Sequence, residues 1–263
     1  MFDSGFGGLT VARATIDLLP NEDLVYLGDT ARYPYGPRSL DEVRAFALEI
    51  GQHLVDTYDI KLLVVACNTA TAAALELLAD SLPVPVVGVI EPGVRALIDA
   101  SESGRFAVIG TVGTIDSGAY DKAVAQVVAD ASLVSSACPG FVEFVERGVT
   151  SGPEVTLLAR RLLAPLVEAR IDALLLGCTH YPYLARVIAD VMGRQVVLVS
   201  SADETAFALA DLLRRRGLAF DDPTRVGRHR FISSGDVRSF TRLGSRLLGP
   251  ELADATLWRP RSG

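Results

Sequence analysis

Two apolar runs that each end abruptly in a cysteine constrain this chain more than any other feature. The first, Leu62-Leu63-Val64-Val65-Ala66, leads into Cys67-Asn68-Thr69-Ala70-Thr71, and the second, Ala173-Leu174-Leu175-Leu176-Gly177, leads into Cys178-Thr179-His180. A short run without polar alternation, stopped by small polar residues, reads as a strand buried on both faces, the habit of parallel sheets covered by helices. The carboxyl end of such a strand delivers a thiol and small hydrogen-bonding side chains into a crevice. The two cysteines stand 111 residues apart at matching places in matching strands, a spacing that points to paired chemistry.

The rest of the chain alternates in the same way. Residues 1–8 read as the stub of a strand and a glycine-rich turn into a helix over 9–19. The stub is shorter than the about five residues of a typical strand, which predicts an upstream start or a trimmed N-terminus. Further strands are expected at 25–29, 84–90, 105–110, 133–137 and 196–200. Helices are expected over 39–58, 69–80, 94–100, 116–130, 143–147, 153–170 and 183–192, the first of them opened by a Ser39–Glu42 capping box. Strands alternating with helices indicate βαβ units. Four paired landmarks suggest an internal repeat: Ser4 with Thr111, Asp29 with Cys138, Cys67 with Cys178 and Val86 with Val196, at offsets of 107, 109, 111 and 110. Helices at 204–216 and 237–248 and a strand at 230–233 belong to neither half and are expected to pack on the first. The expected fold is α/β, two pseudo-symmetric domains with mostly parallel sheets and the active site in the interdomain cleft. The first domain, residues 1–92 and 201–263, carries Cys67; the second, 93–200, carries Cys178.

Composition narrows the function. A chain of 263 residues, 49% hydrophobic, buries a sizeable core as one large or two modest domains. A net charge of -7 and a pI near 5.0 argue against a nucleic-acid surface, which needs clustered cations. Arg214-Arg215-Arg216 closes a predicted helix, where it favours the negative end of the dipole. No apolar stretch approaches membrane-spanning length and the first residues lack the pattern of a signal peptide, so a cytoplasmic protein without a membrane partner is expected. Three cysteines without CxxC spacing fit a reducing compartment better than a disulfide framework or a zinc site. His53, His180 and His229 are too dispersed for a metal site. Lys61 precedes its strand and Lys122 lies within a helix, so neither is placed as the Schiff-base lysine of a pyridoxal enzyme. No cofactor is expected.

Ligands of open parallel sheets sit beyond the carboxyl ends of the strands. Those ends collect Asp3-Ser4, Asp29 with the Tyr35-Gly36 loop, Cys67-Asn68-Thr69, Thr111, Cys138 and Cys178-Thr179-His180. A lone cysteine at a strand end is ordinarily a small buried hydrophobe. Two at equivalent ends of a repeat, each followed by hydrogen-bonding residues, shift the reading toward function, whereas Cys138, followed by Pro139-Gly140, is read as structural. A thiol on each face of a substrate is what two-base stereoinversion at carbon needs: one removes a proton as thiolate, the other supplies one to the opposite face. A free thiol titrates near pH ~8.5, so neighbours must tune both. The candidates are Asp3 beside Cys67, and His180 with Glu146 beside Cys178. Each has an ordinary alternative: Asp3 bonds the amides of its own turn, His180 is a hydrogen-bonded core histidine, or Glu146 lies on a solvated helix face. Gly5, Gly7 and Gly8 either admit a ligand or make a tight turn, and Thr10 stands where a dinucleotide motif has its third glycine. Thr69, Thr71, Thr111 and Thr114 read as helix caps, a role compatible with binding carboxylates at helix N-termini.

The motifs Asp3-Ser4-Gly5 with Gly7-Gly8-Leu9-Thr10-Val11, Gly28-Asp29 with Pro34-Tyr35-Gly36, Ala66-Cys67-Asn68-Thr69-Ala70, Glu91-Pro92-Gly93 and Gly177-Cys178-Thr179-His180-Tyr181-Pro182 closely resemble the glutamate racemase family. The likeness covers nearly the whole chain. Asn-Thr after one cysteine and Thr-His after the other set it apart from aspartate racemases. The resemblance implies cofactor-independent interconversion of L- and D-glutamate for peptidoglycan synthesis. It implies that Cys67 takes the α-proton from D-glutamate and Cys178 from L-glutamate, assisted by Asp3, Glu146 and His180. Asp3, Ser4, Tyr35, Gly36, Asn68, Thr69, Thr179 and His180 are the implied substrate contacts. Only Arg32 among the arginines stands near a predicted strand end, so the substrate carboxylates are expected on hydroxyls and backbone amides. A homodimer is one candidate assembly. The alternatives are a racemase of another acidic amino acid such as aspartate, or a non-catalytic small-acid binding protein.

Overall fold

The computed structural model of the protein describes residues 1–129, 131–220, 222 and 224–260. The chain divides into two compact units, one of Met1–Val89 with Ala202–Gly263 and the other of Ile90–Ser201.

The first unit opens with β1 (Phe2–Asp3), α1 (Leu9–Leu18), β2 (Leu24–Gly28), α2 (Leu40–Tyr58), β3 (Leu63–Val65), α3 (Asn68–Ser81) and β4 (Val86–Gly88). The second unit follows with α4 (Ile90–Ala100), β5 (Phe106–Gly110), α5 (Val112–Asp116), α6 (Ala119–Val127), β6 (Val134–Ala137), α7 (Phe141–Glu146), α8 (Pro153–Glu168), β7 (Ala173–Gly177), α9 (Ala185–Met192) and β8 (Val197–Ser200). Helix α10 (Ser201–Arg215), β9 (His229–Ser233), α11 (Val237–Leu248) and β10 (Thr256–Leu257) complete the first unit. Its sheet runs β10-β9-β2-β1-β3-β4 and that of the second unit β6-β5-β7-β8, and every pairing among the described residues is parallel.

Period-two alternation explains how each sheet takes a core on both faces. Leu63 and Val65 of β3 join Phe2 and Leu27 against α2 and α3, while Val64 and Ala66 join Tyr26 and Phe231 against α1 and α11. Helix α2 answers with Val43, Ala47, Ile50 and Leu54 on one stripe, opened by the Ser39–Glu42 capping box. In the second unit Leu174, Leu176, Ala107 and Ile109 face a core that includes Val155, Ala159, Leu163 and Leu166 of α8. Each such leucine, cut to alanine, would cost about 2–5 kcal/mol.

Hydrogen-bond register confirms three of the four repeat offsets and corrects the fourth. Phe2 faces Leu27 and Val65 as Ile109 faces Ser136 and Leu176, which gives offsets of 107, 109 and 111. Gly88 faces Val65 as Ser200 faces Leu176, an offset of 112, so Val86 corresponds to Leu198 and not to Val196. Val196 instead closes a turn onto Gly193, its amide 3.2 Å from that carbonyl.

Other differences have local causes. The residues Glu91-Pro92-Gly93, which precede the helix expected from Val94, lie in the first turn of α4. A proline there loses no intrahelical bond, and a Cβ on Gly93 would press on Ser201 at 3.0 Å and Leu175 at 3.3 Å. The helix expected over 116–130 starts only at Ala119, as α6, parted at Gly118 with φ +65° from α5, which ends at Asp116; Asp130, its expected end, lies outside the described residues. A 3-10 turn, Tyr181–Leu184, precedes α9, and the short edge strand β10 was not expected from its pattern. Strand β1 has only two residues, yet it is central, because Met1 extends the ladder by accepting from the amide of Leu27.

Candidate active site

In the first unit the site grows from the adjacent carboxyl ends of β1 and β3. Asp3 is fully buried, and its Oδ2 accepts from the Gly5 amide at 2.8 Å, so one oxygen does fold the carboxylate back onto its own turn. A Cβ on Gly8 would stand 2.6 Å from Asp3 Cβ and 3.0 Å from Ala66 Cβ. Glycine is therefore what lets the start of α1 press onto these strand ends. Cys67, 5% exposed, is the N-cap of α3 and its Sγ accepts from the Ala70 amide at 3.5 Å. The positive end of a helix favours negative charge at that sulfur. Asn68, Thr69 and Ser4 are buried beside it, while the Thr71 hydroxyl donates to Val65 O at 3.0 Å and serves the backbone.

Asp29, at the end of β2, is fully buried and its carboxylate is taken up by protein donors. Oδ1 accepts from the Ser234 hydroxyl at 2.6 Å, and Oδ2 accepts from Arg32 Nε at 2.7 Å and from the Tyr35 hydroxyl. Burial, then the Asp29 charge, pushes the Tyr35 phenol well above its ordinary pKa, so it remains a donor. With the Tyr35 side chain committed to Asp29, what residues 35 and 36 can offer a ligand is backbone. Arg32 is likewise committed, to Asp29 and, at 2.5 Å, to Glu49.

In the second unit β7 leads into Cys178, 6% exposed, with Thr179 and His180 buried after it. His180 Nδ1 lies 3.9 Å from Cys178 Sγ and its Nε2 lies 2.6 Å from Glu146 Oε1 at the end of α7. Burial alone would lower the imidazole pKa, but the hydrogen bonds to Cys178 and Glu146 raise it to about 10. The structure thus brings three of the expected residues into one line: carboxylate, imidazolium, sulfur. Cys138 points elsewhere, its Sγ 3.9 Å from Ser136 O, and burial pushes its thiol up to about 12. At the start of α5, Thr111 caps the helix, accepting from the Thr114 amide at 3.3 Å.

Two contributors escaped the sequence reading. Tyr181, one residue after His180, donates toward the carbonyls of Gly110 and Cys138 at 3.0 and 3.1 Å and ties three strand ends together. Its place in the Thr-His-Tyr-Pro string was the only clue. Ser234 comes from a segment outside the repeat, and no spacing pointed to it. A cavity of about 230 Å³ in the first unit, lined by Leu19, Glu22, Lys61 and Leu213 among others, lies at the opposite, amino end of the strands, away from Cys67. Among the described residues no group of three His, Cys, Asp or Glu side chains could hold a metal ion, and no helix is long and apolar enough to cross a membrane.

Known proteins share this sequence pattern and fold. The profile of the Asp/Glu/Hydantoin racemase family matches residues 10–208, and the chain belongs to that family. A glutamate racemase of Parafrankia is 52% identical over 98% of this chain and 92% of its own. The crystal structure of a glutamate racemase from Bacillus anthracis superposes with a TM-score of 0.92 at 42% identity, covering 98% of this chain and 95% of that one. That of Francisella tularensis glutamate racemase with D-glutamate gives 0.89 at 32% identity, covering 98% and 95%. Within the family, the chain falls with the glutamate racemases.

Proposed function

We propose that this enzyme interconverts L- and D-glutamate by moving a proton at the α-carbon between two thiols, Cys67 and Cys178. The observation that carries the reading is the repeated setting of the two sulfurs, each buried at the end of the equivalent strand, β3 or β7. With L-glutamate bound, Cys178 as thiolate removes the α-proton while the Cys67 thiol protonates the opposite face; D-glutamate reverses the roles. General acid–base catalysis of this kind contributes about 10²–10⁴-fold. His180, kept cationic by its hydrogen bonds to Cys178 and Glu146, faces the Cys178 sulfur and stabilises negative charge there. On the Cys67 side the α3 N-terminus does the corresponding work, and the Asp3 carboxylate assists as an acceptor for the thiol proton. Asp3, Ser4, Asn68, Thr69, Thr179 and His180 contact the substrate with side chains, and Tyr35 and Gly36 contact it with backbone.

Each unit acts as a domain that supplies one thiol, and no bound cofactor takes part. The product, D-glutamate, enters peptidoglycan, which places the enzyme in the cytoplasm with glutamate as its small-molecule partner; a homodimer is compatible with this role.

The test is α-proton exchange, followed by proton NMR in deuterated buffer with each glutamate enantiomer and no added cofactor. Loss of the α-proton signal with formation of the opposite enantiomer is expected. Thermal stabilisation by glutamate without any exchange would instead identify a binding protein, and faster exchange of aspartate would move the substrate assignment.

A further inference from the structure

The last part of the chain, which belongs to neither half of the repeat, reaches the loop that carries Tyr35 and Gly36 by two routes. The first runs through the end of β9. Ser234 donates to Asp29 Oδ1 at 2.6 Å and accepts from the Ala31 amide at 2.9 Å, and the Ser233 and Thr30 hydroxyls lie 2.7 Å apart. The second runs through the residue after β10. Trp258 is fixed to the sheet by its amide, which donates to Ser233 O at 2.9 Å, and its ring stacks on His53 at 5.1 Å. The Arg32 guanidinium lies over that ring at 5.6 Å and over Phe46 at 4.3 Å, with Nε on Asp29. Asp29 is thus the hub: its oxygens hold Ser234 on one side and Arg32 with Tyr35 on the other. A buried carboxylate serving three residues tolerates the loss of none of its donors without moving.

Between α1 and α2 the segment around Tyr35 has no regular secondary structure of its own. Its placement therefore depends on this network and on Arg38, whose Nε donates to Arg32 O at 2.7 Å. We propose that Ser234 and Trp258 are positioning residues that set the substrate loop of the first unit through Asp29 and Arg32. This rests on the reading that Tyr35 and Gly36 present backbone to the substrate. It gives the appended β9–β10 segment a role in binding: substrate affinity falls when the loop relaxes, while the thiol chemistry, built on other elements, continues. A misplacement of this kind, worth one lost hydrogen bond to a charged group, corresponds to about tenfold in affinity.

The experiment measures kcat and KM for both glutamate enantiomers, with Tm, in Ser234→Ala, Trp258→Ala, Trp258→Phe and Gly36→Ala. Expected are a KM raised about tenfold in Ser234→Ala and several-fold in Trp258→Ala, with kcat within about threefold of wild type. Trp258→Phe, which keeps an aromatic face for Arg32, is expected to restore KM. An unchanged KM in both alanine variants while Gly36→Ala raises it overturns the positioning role and leaves the loop as a substrate contact. If Gly36→Ala also leaves KM unchanged, the assignment of the loop to the substrate fails, and the positioning role with it. Equal losses of kcat, KM effect and Tm in Trp258→Ala and Trp258→Phe would reduce Trp258 to a packing residue and overturn its part.

Discussion

Nε2 of His180 lies 2.6 Å from Oε1 of Glu146. The other ring nitrogen faces Cys178, so one carboxylate, through one ring, fixes the charge next to one sulfur. Burial opposes that charge; the two hydrogen bonds overcome it and raise the imidazole to about 10. The glutamine variant keeps the shape and removes the charge. Glu146→Gln is therefore expected to lower kcat by about tenfold and to move the alkaline limb of the pH–rate profile by at least about one unit toward neutrality. Rate profiles from pH 6 to 11 check this, and the limb belongs to the His180–Cys178 pair jointly. An unmoved limb would show that Glu146 only packs.

The same pair gives a pH dependence of stability. The folded imidazole titrates at about 10 against an ordinary value of 6.5. A raised pKa stabilises the fold fully below pH 6.5, and that contribution is lost as pH rises from 6.5 through about 10. The loss reaches several kcal/mol by the usual conversion of about 1.4 kcal/mol per pH unit. Denaturant midpoints of wild type are expected to fall across this window, and those of His180→Gln to be flatter.

The three cysteines should separate by role. Cys67→Ser and Cys178→Ser are each expected to lose about 10²–10⁴-fold in racemisation, because in the proposed mechanism each removes one of the two proton carriers. Cys138→Ser should keep full activity. Its thiol is held well away from proton transfer by burial, and the substitution costs about 1 kcal/mol as a hydroxyl replaces a small hydrophobe. Racemisation followed by circular dichroism and urea midpoints measure both effects.

Much of this was legible in the residues. The apolar runs before Cys67 and Cys178 are specified locally, since a strand buried on both faces needs no polar alternation, and the repeat followed from their spacing. Glu146 was legible only as a candidate set against a solvated helix face, because its partner His180 lies 34 residues further on and no periodicity links them. Tyr35 was legible as a loop residue but not in its orientation; the choice between substrate and Asp29 depends on a carboxylate that only the folded sheet places beside it. Ser234 and the edge strand β10 were illegible for the same reason, their meaning residing in long-range pairing with β2 and β9. The start of α4 was misplaced because Glu91-Pro92-Gly93 has the composition of a turn, whereas the first turn of a helix accepts proline and tertiary crowding requires the glycine.

Gly177, the last residue of β7, stands directly before Cys178. A Cβ at this position would meet Ile109 O at 2.7 Å, the Tyr120 hydroxyl at 2.8 Å and Val108 Cγ2 at 2.9 Å. The first of these is backbone in the neighbouring strand and cannot swing aside, so the new methyl must push β7 or twist its end. Gly177→Ala is expected to cost about 1–3 kcal/mol from overpacking. It is also expected to lower kcat by about 10²-fold, since a displacement of about 1 Å at the following residue takes the Cys178 sulfur off the proton-transfer line. Gly104→Ala supplies the comparison. That glycine has φ +71° and nothing within 4 Å of a built Cβ, so the alanine is strained by about 1–2 kcal/mol through its backbone alone. The two variants should lose similar stability in urea denaturation, with racemisation lost in Gly177→Ala and kept in Gly104→Ala. Equal activity in both would mean that the end of β7 yields without carrying Cys178 with it.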